Sequence, residues 1–134
     1  MMLKQKVIID TNFLLIPGIF KVDIFTEIKR LMNAPYKLFL INKSFEELNK
    51  IIVLGKIKDR EAAKLGLILA KNLIKQKSLK TIGCSSKKSV DDIIVEKTNK
   101  KVFVATMDKE LKHRIKKKDG KIITLKQKKY LIVE

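Results

Sequence analysis

The stretch Lys6-Val7-Ile8-Ile9-Asp10-Thr11-Asn12 constrains the fold of this chain more than any other. Three branched apolar residues, with no polar alternation, run directly into an acid, a hydroxyl and an amide. Such a run reads as a strand buried on both faces, which belongs inside a parallel sheet. A charge at the end of a buried strand is costly unless it is paired or bound to a metal ion. Asp10 therefore falls at the C-terminal edge of its strand, where open α/β sheets place their ligands.

The remainder of the chain repeats the pattern of short apolar run, loop and helix. Pro17-Gly18 reads as a turn. Asp23 can cap a helix to about Met32, with Ile24, Phe25, Ile28, Leu31 and Met32 at helical spacing. Leu38–Ile41 is a second buried strand. Ser44 with Glu47 three residues later has capping-box spacing and opens a helix that Gly55 closes. A longer helix runs from about Asp59 to Lys77, with Leu65, Ile68, Leu69 and Leu73, and Leu67 beside them, as its expected buried stripe. Leu79–Ile82 reads as a short strand and Gly83–Lys88 as a loop. Ser89 caps a helix to about Thr98, and Val102–Ala105 is the next buried strand. A helix from Asp108 to about Lys117, a turn at Asp119-Gly120, a strand Ile122–Leu125 and an edge strand Tyr130–Val133 complete the chain. Strands alternating with helices imply right-handed crossovers and a parallel sheet covered on both faces.

Charge limits the partners. The 134 residues carry 31 Lys+Arg against 14 Asp+Glu, a formal net charge of +17. Between Ala62 and Val90 there are seven lysines and no acid; from Lys109 to Glu134 there are ten Lys or Arg against three acids. This excess favours a polyanion, with nucleic acid ahead of an anionic membrane surface. At 46% hydrophobic residues the chain can bury a core and is not of disordered type. The single Cys84 leaves no internal disulfide partner and no cysteine-based zinc site. With no apolar run of membrane-spanning length and no signal-peptide pattern, a cytoplasmic protein without membrane association is expected.

Four acids fall at strand ends or in first helical turns: Asp10, Glu47, Asp92 and Asp108. In a parallel sheet these places share one edge. Each has an ordinary explanation as well. Glu47 and Asp92 fit capping boxes with Ser44 and Ser89, Asp108 can cap its own helix, and Asp91 suits a first turn through the helix dipole. Asp10 is hardest to explain as structural. Carboxylates gathered at one edge repel unless cations neutralise them, and an oxygen-only donor set suits Mg²⁺ or Mn²⁺. Thr11, Asn12 and Thr106 flank the acids and can orient them by hydrogen bonds.

Val7-Ile8-Ile9-Asp10-Thr11-Asn12-Phe13, Phe45-Glu46-Glu47-Leu48, Val90-Asp91-Asp92-Ile93-Ile94 and Val102–Asp108 resemble, in order, the motifs of PIN-domain ribonucleases. Within that family Ser89–Asp92 and Val104–Lys112 are most similar to the branch of the small-subunit-processome endonuclease and its archaeal relatives, which process ribosomal RNA. The resemblance covers nearly the whole chain. It implies one PIN-like nuclease domain over residues 1–134, folded as a three-layer α/β/α sandwich about a central parallel sheet. It also implies Mg²⁺- or Mn²⁺-dependent hydrolysis of single-stranded RNA. By motif, the catalytic and metal-binding acids are Asp10, Glu47, Asp92 and Asp108, with Thr11, Asn12, Thr106 and Asp91 in support. Glu47 is assigned over Glu46 because it precedes Leu48, and Asp92 over Asp91 because an apolar helical run follows it.

The expected function is a metal-dependent endoribonuclease acting on RNA, pre-rRNA above all. Lys87, Lys88, Lys109, Lys112, Arg114, Lys116 and Lys117 are the expected grips on phosphate. PIN domains often pair, which suggests a homodimer through apolar residues of the first two helices. Two rivals share these features: a VapC-type toxin ribonuclease held by an antitoxin, and a non-catalytic RNA-binding ribosome-assembly factor.

Overall fold

The computed structural model describes residues 4–85 and 87–134; Ser86, in the expected Gly83–Lys88 loop, lies outside them. Strand β1 spans Gln5–Ile9 and leads through a 3₁₀ segment, Thr11–Leu15, into α1, Ile16–Phe20. There follow α2 Ile24–Leu31, β2 Tyr36–Ile41, α3 Ser44–Leu54, α4 Ile57–Lys75 and β3 Leu79–Ile82. The C-terminal half adds α5 Val90–Glu96, β4 Val102–Ala105, α6 Lys109–Lys117, β5 Lys121–Lys126 and β6 Tyr130–Val133. No helix among the described residues is long and apolar enough to cross a membrane.

The strands form one sheet in the order β3-β2-β1-β4-β5-β6. Every pairing is parallel except that of β6 with β5. The antiparallel edge is tied to α2, where Arg30 donates to the Leu131 carbonyl at 2.8 Å and Leu131 N–H donates to Glu27 at 3.0 Å. Alternate residues of β1 feed two cores, as a strand's period of two requires. Val7 and Ile9 join Phe13, Leu14, Ile24, Leu48 and the α4 alanines on one face. Ile8 joins Ile41, Ile94, Val104, Leu111 and Ile115 on the other. With α1–α4 on one side and α5–α6 on the other, the result is the three-layer α/β/α sandwich.

Chain order reverses between β1 and β4: β1, β2 and β3 build outward one way, β4, β5 and β6 the other. Ligands of open α/β sheets bind at such a switch point, beyond the C-terminal ends of the strands. Asp10 and Thr106 follow β1 and β4 at that place.

Three local expectations are corrected. Pro17-Gly18 does not turn the chain but lies in α1, with the proline in the first turn, where its missing N–H costs nothing. Ser44 is not a cap: Lys43 holds that position, and the buried Ser44 hydroxyl bonds Thr11 instead. The fully buried stripe of α4 is Ala62, Ala63, Gly66 and Ala70; of the expected leucine stripe, Leu67 and Leu73 pack half-buried against the core, while Leu65 and Ile68 are exposed. Small residues are needed because α4 crosses very close to the chain after β1. A methyl added at Gly66 would stand 2.5 Å from the Leu14 carbonyl oxygen, and one at Gly18 2.6 Å from the Ala62 Cα.

Candidate active site

Asp10 continues the ladder of β1 by one bond, its N–H donating to the Ala105 carbonyl at 3.0 Å. Its carbonyl then accepts from Phe13 N–H and starts the 3₁₀ turn. Backbone on both sides therefore fixes the side chain at the sheet edge. Only 6% of the residue is exposed. Its Oδ2 accepts a hydrogen bond of 2.9 Å from the buried Thr106 hydroxyl. Burial drives the Asp10 carboxyl up from its ordinary 3.8 to about 6, against the Thr106 bond, and the charges of Asp91 and Glu47 push the same way. Among the described residues no lysine or arginine forms an ion pair with it.

Thr11 and Ser44 position Glu47. The Thr11 hydroxyl, itself buried, stands 2.5 Å from Glu47 Oε1 and 2.7 Å from the buried Ser44 hydroxyl. A hydroxyl has one proton to give. With the carboxylate accepting it, Ser44 completes the chain by donating to Thr11. Glu47 on α3 is thereby locked to the end of β1. Ser44 escaped the sequence reading because its spacing to Glu47 imitates a cap.

Thr106 performs the matching task on the other side. Its oxygen accepts from Asp108 N–H at 3.1 Å while its proton goes to Asp10. Asp108 caps α6, its Oδ1 accepting from Glu110 N–H at 2.8 Å and Leu111 N–H at 3.1 Å. Its second carboxylate oxygen takes no part in the cap. The Asp108 carboxylate is thus held in place by the helix start that it caps.

The structure reverses the order expected for the neighbouring acids of α5. Asp92 is exposed and paired with Arg114 of α6 at 2.8 Å. Hydrogen bonds from Arg114, then from Ser89, hold its carboxyl below the usual range. Asp91 is half-buried and faces the other acids. Burial raises its carboxyl first, the charges of Asp108 and Glu47 next, with Arg114 opposing. Consecutive helical residues point about 100° apart, so only one of the two can look into the sheet edge. The acids sharing one electrostatic neighbourhood are Asp10, Glu47, Asp91 and Asp108. Asn12 is exposed and stands outside the hydrogen bonds of this group.

Several expected phosphate grips are already engaged. Arg114 holds Asp92, Lys112 pairs with Glu134 at 3.2 Å, and Lys88 pairs with Glu96. Lys87, Lys109, Lys116 and Lys117 are exposed, with no ion pair among the described residues.

Among the described residues no three His, Cys, Asp or Glu side chains stand assembled as a ready cage for an ion. The chemistry of the donors fits a hard divalent cation nonetheless. They are all oxygens, and the most buried of them carries a charge with no cationic partner while like charges surround it. A cation of that kind would remove both the repulsion and the burial cost.

The profile of a PIN like domain matches residues 7–128. The chain is 30% identical over 126 residues to Ribonuclease VapC4 of Methanocaldococcus jannaschii, an alignment covering 93% of each sequence. Among solved structures it resembles the PIN domain endonuclease Utp24, with a TM-score of 0.72 and 28% identity over 96% of this chain and 90% of that one.

Proposed function

The chain belongs to the PIN-like domain family, and from that premise we propose that it is an Mg²⁺- or Mn²⁺-dependent endoribonuclease cleaving single-stranded RNA. The 134 residues act as one nuclease domain. The observation that carries the reading is Asp10, a buried carboxylate at the switch point of the sheet without a cationic partner among the described residues, with Glu47 and Asp91 in electrostatic reach of it and Asp108 in reach of Asp91.

Asp10, Glu47, Asp91 and Asp108 would hold the ion or ions, a choice that puts Asp91 where the motif alone favoured Asp92. When bound, such ions supply an activated water and neutralise charge on the departing oxygen of a phosphodiester. The chain's own residues do the rest. Thr106 holds the Asp10 carboxylate and, through its bond from Asp108 N–H, the start of α6. Ser44 and Thr11 fix the Glu47 carboxylate. Burial of Asp10 keeps water from dissipating the field of the site. Lys109, Lys116 and Lys117 on α6 and Lys87 before α5 attract the RNA backbone.

Precursor ribosomal RNA is the substrate favoured by the net charge of +17 and by the resemblance to the rRNA-processing branch. The similarity to Ribonuclease VapC4 supports a second reading, a toxin that cleaves cellular RNA until a partner restrains it. One set of experiments tests both. Purified protein with Mn²⁺ is expected to cut single-stranded RNA, and EDTA to stop it. Absence of cleavage on several single-stranded substrates would leave only an RNA-binding scaffold. Growth arrest on expression, lost with Asp10→Asn, would select the toxin reading over rRNA processing.

A further inference from the structure

The lysines at the far side of the sheet take no part in the site described above. Lys6 of β1 and Lys37 of β2 are register partners, so their side chains leave the same face of adjacent strands. Lys80 of β3 is the partner of Phe39, two residues on from Lys37, and emerges from that face too. Lys4, Lys37 and Lys80 line a shallow depression at the N-terminal edge of these strands. Lys6 lines a neighbouring one with Phe39 and Lys97, its ammonium 5.8 Å from the Phe39 ring centre.

Among the described residues none of Lys4, Lys6, Lys37, Lys80 and Lys97 forms an ion pair, and neither depression is lined by an acid. The crowding is strong enough to hold the Lys37 ammonium below its ordinary pKa, through the close approach of Lys80 first and then the charges of Lys4 and Lys6. Like charges gathered on neighbouring strands cost stability in the free protein. They are useful only if a polyanion covers them.

The patch is remote from the acids. Lys6 and its partner Lys37 lie four residues before the level of Asp10, or roughly 13 Å along the strand, and Lys80 lies two residues before it but two strands away. A short substrate seated over Asp10 does not reach it.

We propose that Lys4, Lys6, Lys37 and Lys80, with Phe39 beside them, form a second RNA-binding surface that grips backbone phosphates outside the segment being cleaved. RNA is preferred over other polyanions on the strength of the ribonuclease reading, on which this proposal rests. The surface would turn a long RNA into a two-point ligand. Such ligands gain affinity through effective concentration, with nothing added at the cleavage site itself.

The test compares wild type with the triple variant Lys6→Gln, Lys37→Gln, Lys80→Gln. Binding is measured in an Asp10→Asn background with EDTA, so that cleavage plays no part. The probes are a long polyuridylate and an oligouridylate shorter than the span above. The triple variant is expected to bind the long probe about tenfold or more weakly at physiological salt. Its salt slope should fall by about 2, roughly 0.7 for each single-strand phosphate that a lysine no longer neutralises. Affinity for the short probe, and cleavage of it by the variant carrying Asp10, should stay at the wild-type level. The melting temperature should hold or rise, because the substituted side chains repel one another. Unchanged affinity and slope on the long probe overturn the proposal. If wild type binds the long probe but cuts nothing, and the triple variant loses binding, the nuclease reading fails and the patch stands.

Discussion

Replacing Asp10 by Asn should make the metal-free protein more stable while ending its cleavage of RNA. In the unfolded chain Asp10 ionises at its ordinary 3.8; in the fold it ionises at about 6. Below pH 4 the carboxyl is protonated in both states and costs nothing. Above pH 6 it is ionised in both, and the fold bears the full cost of the buried charge. Stability from this group is therefore lost as pH rises from about 4 to 6 and is level beyond. A shift of about two units corresponds to about 3 kcal/mol, and with 6% of the residue exposed solvent screens little of it. Asn keeps an acceptor for Thr106 but brings N–H donors that need partners, and a poorly placed one costs about 1 kcal/mol. The net gain at pH 7 is then about 2 kcal/mol, or roughly 5–10 °C in melting temperature for a chain of this size. Urea unfolding in EDTA at a series of pH values measures it. The stability advantage of Asp10→Asn over wild type should grow from pH 4 to 6 and stay level above. Equal curves for the two proteins, or a less stable variant at pH 7, would refute the claim that Asp10 is a strained, unpartnered charge.

The choice between the α5 acids is open to direct comparison. Asp91→Asn should reduce cleavage at least about a hundredfold, the upper range for loss of a metal site's supporting groups. Asp92→Asn should leave both cleavage and the melting temperature near wild type, because an exposed ion pair with Arg114 contributes little. Steady-state rates and melting curves of the two variants decide it, and the opposite order would restore Asp92 to the site. Thr11→Val removes the hydroxyl between Ser44 and Glu47 while keeping the shape of the side chain. It should weaken Mn²⁺ binding by about 10–100-fold, read by calorimetry, and lower the melting temperature in EDTA by a few degrees, because the buried Ser44 hydroxyl loses its partner. Unaltered Mn²⁺ affinity would show that Glu47 needs no positioning.

What could be read from the sequence follows from how local the cause is. Val7–Ile9 and Val102–Ala105 declare themselves because burial on both faces leaves no polar alternation, and the acids after them share an edge by topology alone. Asp91 and Asp92 could be narrowed to a pair but not resolved. A helix start fixes the position of its first turn, whereas the direction of each side chain depends on α6 supplying Arg114 to one of them. Ser44 carries the same difficulty. Its distance to Glu47 is that of a cap, and only the arrival of Thr11 from β1 assigns its hydroxyl elsewhere. In α4 the segment Ala62–Ala70 contains two stripes, one of leucine and isoleucine, one of alanine and glycine. Hydrophobicity favours the first, but the close crossing at Leu14 and Gly18 admits only the second. The lysine patch was invisible for a related reason: Lys6, Lys37 and Lys80 are far apart in the chain and meet only through strand register.

Locating the metal in crystals soaked with Mn²⁺ is the most direct test of the site. An anomalous difference peak is expected within bonding distance, about 2.0–2.3 Å for a small hard cation on oxygen, of the Asp10 carboxylate and of at least one of Glu47, Asp91 and Asp108. A fully occupied soak with no peak at Asp10, or with the ion held by Asp92 in place of Asp91, would contradict the account.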